Sequence, residues 1–127
     1  MLWCATELLV PVVATVLSLS GGWAEAVPIV QADSCTVADI VIEKMPVDRH
    51  PGYAGWATWA PGQPCQIEIR YISIFVINHE LGHCILQLEG HPTTGVMSGD
   101  SMTPSPEELQ LAYRLWHPDT IWQKETP

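Results

Sequence analysis

A chain of 127 residues holds one domain and leaves no room for a second. Its composition, 47 % apolar and 15 % charged, excludes a disordered acidic tail as the whole protein. Five Lys and Arg against fourteen Asp and Glu give a net charge of −9, which argues against nucleic acid or an anionic membrane surface as partner, since both recruit cations.

The first apolar run, Leu8 to Leu19 (LLVPVVATVLSL), carries no charge. It is shorter than the roughly 20 residues needed to span a bilayer and suits the apolar region of a secretory leader. Ser20-Gly21-Gly22 breaks it, and Ala24-Glu25-Ala26 then offers a small-x-small cleavage pattern, although Met1 to Glu7 holds no Lys or Arg. The expectation is a signal peptide over 1–26 and a mature domain over 27–127, secreted or held in the cell envelope. An uncleaved anchor and a misplaced start codon are the alternatives. Cys4 would leave with the leader, so Cys35, Cys65 and Cys84 remain and permit one bridge in three ways. A Cys35–Cys65 bridge would contribute on the order of 3–4 kcal/mol by closing a loop; three reduced, buried thiols are the other reading.

Further along, Val37 to Glu43 (VADIVIE) alternates apolar and polar residues and reads as a strand. Met45 to Gly55 is a loop, with two prolines and two glycines. Gly55 to Ala60 (GWATWA) alternates again and meets Pro61-Gly62, the setting of an edge strand. Trp56 and Trp59 lie three apart and would face opposite sides, one toward the core and one toward a cleft. Gln66 to Ile72 (QIEIRYI) is a third strand. The period then changes: Phe75, His79, Gly82, His83 and Leu86 share a helical face within Ser73 to Leu88, with Gly90 as the stop signal. A loop from His91 to Pro104 leads to a last helix. There Ser105 is the N-cap, Pro106 stands at the first position, Glu108 completes a capping box, and Leu109, Ala112, Tyr113 and Trp116 form the apolar face. The order predicts an α+β fold: a small mixed sheet with an edge strand, a histidine-bearing helix and a C-terminal helix.

That helix carries the chemistry. His79-Glu80-Leu81-Gly82-His83 is an HExxH motif. Four residues turn a helix by about 400°, so His79 and His83 stand on one face, one turn apart, within reach of one Zn²⁺. Glu80 is rotated off that face, where it can touch a water on the metal rather than the metal, the place for a general base. With five His and nine Glu in the chain, roughly 0.01 such motifs are expected by chance.

HELGH, a histidine nearby, Gly95-Val96-Met97-Ser98 and Ser105 to Trp116 (SPEELQLAYRLW) together resemble the catalytic half of a metzincin metallopeptidase. The closing helix is most similar to the matrixin branch, and the resemblance covers roughly Gly55 to Trp116. It implies that GWATWA holds a peptide substrate antiparallel and that Met97 lies in a turn beneath the zinc. Two departures stand out. Metzincins continue the motif with xxGxxH, but here Leu86 replaces the glycine and Glu89 stands at the third ligand's place, with His91 two residues late. A helix running to Gly90 would put that turn about 6 Å too far along the axis, so either residue reaches the metal more easily if the helix stops near Leu86. His91 is the expected third ligand, turned back by Gly90, and Glu89 is the alternative. A glutamate from the later helix, Glu107 or Glu108, would be the gluzincin arrangement, but both already serve that helix's N-terminus. The second departure is the helix that metzincins insert between their first two strands. Val27 to Thr36 is too short to hold it, which implies a minimal version of the family.

His50 reads as a solvated loop residue, His117 as a partner for the last helix's dipole, and Cys84 as core or a disulfide half. The expected activity is zinc-dependent hydrolysis of peptide bonds in a peptide or protein substrate, with His79, His83 and His91 as metal ligands and Glu80 as base. The expected protein is a monomer with no stable membrane association after leader removal. The rival reading is a non-catalytic secreted module with a structural zinc; a metal-free adhesion or inhibitor domain is the third.

Overall fold

Alternating burial along the strands leaves one face of a sheet dry and the other wet, and the fold follows from covering the dry face. The computed structural model describes residues 1–91, 95–99 and 101–117. It has five strands, β1 (Leu2–Ala5), β2 (Val30–Gln31), β3 (Ile40–Lys44), β4 (Gly55–Thr58) and β5 (Cys65–Ile69), and three helices, α1 (Val10–Ser18), α2 (Ile74–Leu86) and α3 (Pro106–Trp116). The strand order is β2-β1-β3-β5-β4. The first four are parallel and β4 runs antiparallel to β5 at the edge, so the sheet is mixed and the class is α+β.

Ile40, Ile42, Ile67 and Ile69 point from β3 and β5 into the core, where they are at most 1 % exposed. Helix α2 packs on β4 and β5, and α1 packs on β1 and α2. Val13, Val16, Leu17, Ile77, Leu81 and Ile85 complete the buried cluster from the helix side. Each such side chain contributes about 1.5–3 kcal/mol by leaving water.

In the structure the segment expected as a leader, residues 1–26, packs against the rest of the chain. Strand β1 lies between β2 and β3, with Trp3 opposite Ile40. The apolar run forms α1, and Trp23 is fully buried with its indole N–H donating to the carbonyl of Asn78 at 2.8 Å. Cutting after Ala26 would remove an interior strand and part of the core. Helix α1 lies between β1 and β2, before the Val27–Thr36 stretch.

The cysteines pair as Cys4–Cys35 and Cys65–Cys84: of the three possible bridges among Cys35, Cys65 and Cys84 it is Cys65–Cys84 that forms, and Cys4 takes Cys35. Cys65 shares the inward face of β5 with Ile67 and Ile69, so it meets α2 rather than the turn at Cys35–Val37, which packs on β1. Two disulfides are compatible with a secreted or extracellular protein. Among the described residues no helix is long and apolar enough to cross a membrane.

β5 and α2 are among the elements shorter than the sequence suggested. β5 ends at Ile69, because Ser73 caps α2 by accepting from the amide of Val76. α2 ends at Leu86, where Gln87 adopts a left-handed conformation at φ 55°. Gln87, not Gly90, turns the chain; Gly90 has no positive φ. The closing helix matches its expectation, with the Ser105/Glu108 capping box and Pro106 in its first turn. Of the expected loop between them, residues 92–94 and 100 lie outside the described residues, as does Pro118 at the far end of α3.

Candidate metal centre

Helix α2 delivers His79 and His83 to its cleft-facing side, and the turn at Gln87 brings His91 back beside them. The ring centroids are 4.9 Å apart for His79 and His83, 5.0 Å for His79 and His91, and 5.2 Å for His83 and His91. Their ligand atoms all lie within 4.8 Å of one another, close enough to hold a metal ion. Glu89 borders the same cleft but is not part of this group.

Two backbone carbonyls set which nitrogen of each helical histidine faces the centre. His79 Nδ1 donates to Val96 O at 3.0 Å and His83 Nδ1 to Leu88 O at 2.6 Å. With Nδ1 carrying the proton, Nε2 presents its lone pair to the shared space, the arrangement in which an outer hydrogen bond orients a ligating imidazole. Burial pushes both imidazoles below their ordinary range, and the carbonyl bonds only partly oppose it. They are therefore neutral at pH 7, as metal ligation requires. Three imidazoles suit a borderline-soft divalent ion.

Glu80 stands beside this trio at 6 % exposure. Burial raises its carboxyl from 4.5 to about 7. It lies against the edge strand at Gly55, where an added Cβ would come within 2.8 Å of its Cγ and Oε2. A second glycine serves the helix's other side. At Gly82 a Cβ would run into the sulfur of Met97 and lie 3.0 Å from the ring of Trp23. Glycine inside a helix costs about 1 kcal/mol relative to alanine, so its presence here answers to packing. Met97 itself is fully buried, in the turn Val96–Ser98 against α2.

Glu108 is the most connected residue that the sequence reading assigned only half a role. Besides capping α3, its carboxylate accepts from Val96 N at 2.8 Å, Met97 N at 3.1 Å and Ser105 N at 2.9 Å. One carboxylate thus ties the methionine turn to α3, and Val96 passes the constraint to His79 through its carbonyl. Gly95, at φ 90°, leaves the space that the carboxylate fills. Glu107 makes no such contact, and neither glutamate belongs to the histidine group.

The trio and Glu80 open into a cleft of about 560 Å³, bordered by β4 and by Tyr53, Trp59 and Phe75. Phe75 lies 5.5 Å from the His79 ring and Trp59 5.8 Å from that of His83, so aromatic side chains flank the trio on both sides. Trp56 and Trp59 both border the cleft, against the expectation of opposite sides, because β4 ends at Thr58 and strand alternation stops before Trp59. His50 is half-buried rather than solvated, stacked on Trp56 at 3.9 Å. His117 caps the end of α3, and its Nε2 donates to Ala26 O at 3.1 Å. In comparison with known proteins, no family model and no curated protein matches this chain.

Proposed function

We propose that this protein is a zinc-dependent endopeptidase of metzincin type, with His79, His83 and His91 as metal ligands and Glu80 as general base. The observation that carries the reading is the juxtaposition of three convergent imidazoles with a buried glutamate of raised pKa, in a cleft bordered by the edge strand β4. The donor set fits zinc. Among the described residues three side chains converge rather than four, which supports an open coordination position and favours catalysis over a structural ion.

Among the described residues strand β4 pairs only with β5, so its other edge can add an extended peptide by main-chain hydrogen bonds. A zinc ion held by the trio would polarise the scissile carbonyl and acidify the attacking water. Glu80, poised near neutral pH, takes the proton from that water and gives it to the leaving amine as the C–N bond breaks. Gly55 leaves room for the carboxyl against the edge strand, and the rings of Trp59 and Phe75 beside the histidines offer apolar surface to substrate side chains.

The test pairs metal content with cleavage of a peptide pool. Glu80→Gln should keep its zinc and lose turnover; full activity in that variant would overturn the role given to Glu80. His91→Ala should lose zinc affinity by more than about tenfold, and Glu89→Ala should retain most of it. The reverse result would make Glu89 the third ligand.

A further inference from the structure

Arg70 lies just beyond β5, half-buried, and does not border the cleft. Its guanidinium nevertheless gathers the whole loop between β3 and β4. Nε donates to Tyr53 O at 2.9 Å, Nη1 to Val47 O at 3.1 Å, and Nη2 to His50 O at 3.1 Å, to Arg49 O and to the sulfur of Met45. Its backbone amide adds Ala54 O at 2.8 Å. The residue therefore holds two consecutive carbonyls, those of Tyr53 and Ala54, and both of these residues border the cleft immediately before Gly55, against which Glu80 rests.

We propose that Arg70 is a positioning residue for substrate: it fixes the rim Tyr53–Gly55 as a preformed ledge on which an extended peptide is seated. This rests on the peptidase reading of the cleft. The loop has no regular secondary structure of its own, so its carbonyls need partners from elsewhere. A planar guanidinium offers five donors in a fixed fork, and here each of its nitrogens is used. A lysine ammonium, a single point with three donors, cannot span the same carbonyls. A second clamp works from the adjoining strand. Glu68, the register partner of Trp56, accepts from Arg49 at 2.8 Å and stands 3.4 Å from His50 Nε2. His50 holds φ 48°, a left-handed conformation, with its ring flat on Trp56, whose edge Tyr53 meets at 4.9 Å. Without Arg70 the rim would have to be ordered by the peptide at the moment of binding, so affinity falls while the chemistry on α2 is untouched.

The experiment compares wild type, Arg70→Lys and Arg70→Met, each zinc-loaded, on an end-blocked fluorogenic octapeptide chosen from a random pool. Hydrogen exchange of the 47–54 amides is followed in parallel. The expected result is a KM raised by about tenfold in both variants, kcat within about twofold of wild type, and unchanged zinc affinity. The 47–54 amides should exchange faster in the variants and regain protection at saturating peptide. Unchanged KM, or unchanged exchange over 47–54, overturns the proposal while the peptidase reading stands. Absence of any cleavage by the wild-type protein defeats that reading and this inference with it.

Discussion

Replacing Glu108 should loosen the metal centre from a distance. Its carboxylate is 7 % exposed and accepts three backbone N–H groups, from Val96, Met97 and Ser105. Alanine would leave all three without an acceptor at about 1–2 kcal/mol each, a total of about 3–6 kcal/mol, comparable with the whole stability of a small domain. Glutamine is the better probe because it keeps the shape and one acceptor. Its amide nitrogen must then face at least one backbone N–H, at a cost of about 2–3 kcal/mol, which lowers the midpoint of thermal unfolding by roughly 10 °C in a domain of this size. The second consequence reaches the site. Val96 gives its amide to Glu108 and its carbonyl to His79 Nδ1, so loosening this turn frees the first ligand's ring. Loss of such an outer partner typically costs about 10–100-fold in metal affinity. Thermal unfolding of metal-free Glu108→Gln and a zinc titration against a competing chelator measure both effects. A midpoint within about 2 °C of wild type together with wild-type zinc affinity would refute the coupling of α3 to the metal centre.

Three further outcomes are expected. Gly55→Ala puts a methyl where Glu80 packs, so turnover should fall by at least about tenfold while bound zinc stays constant; wild-type turnover would show that Glu80 has another place to go. In the metal-free protein, Glu80 has a folded pKa of about 7 against 4.5 unfolded, so its contribution to stability is present in full below pH 4.5 and is lost as the pH rises through 7. Glu80→Gln should therefore gain on wild type by about 3 kcal/mol between those pH values in denaturant titrations; the two histidines titrate in both proteins and cancel from the difference. A parallel pair of stability curves would refute the burial argument. Finally, a chain beginning at Val27 lacks β1 and the partner of Cys35, and should show no cooperative thermal transition. A transition near that of the full chain would mean that residues 1–26 are dispensable to the fold.

Features whose physics is local were legible in the residues alone. HELGH puts two imidazoles one turn apart on any helix, Ser105-x-x-Glu108 makes its capping box from neighbours, and the prolines after GWATWA mark a strand that ends a sheet. Features that depend on partners far apart in the chain were not. An uncharged run of twelve residues does not say what it packs on; that α1 meets α2, and that Trp23 meets Asn78 and Gly82, is seen only in the tertiary structure. Cysteine pairing depends on which face of β5 Cys65 occupies, and on the turn at Cys35 lying beside β1. The turn that delivers His91 comes from Gln87, a residue with no preference for positive φ, held there by a chain that must carry the Leu88 carbonyl to His83. Glu108 was legible as a cap because Ser105 is three residues away; its hold on Val96 and Met97 spans a loop whose path the sequence does not encode locally. Local hydrogen-bonding rules fix short-range geometry, whereas a loop's path is set by the sum of contacts it reaches.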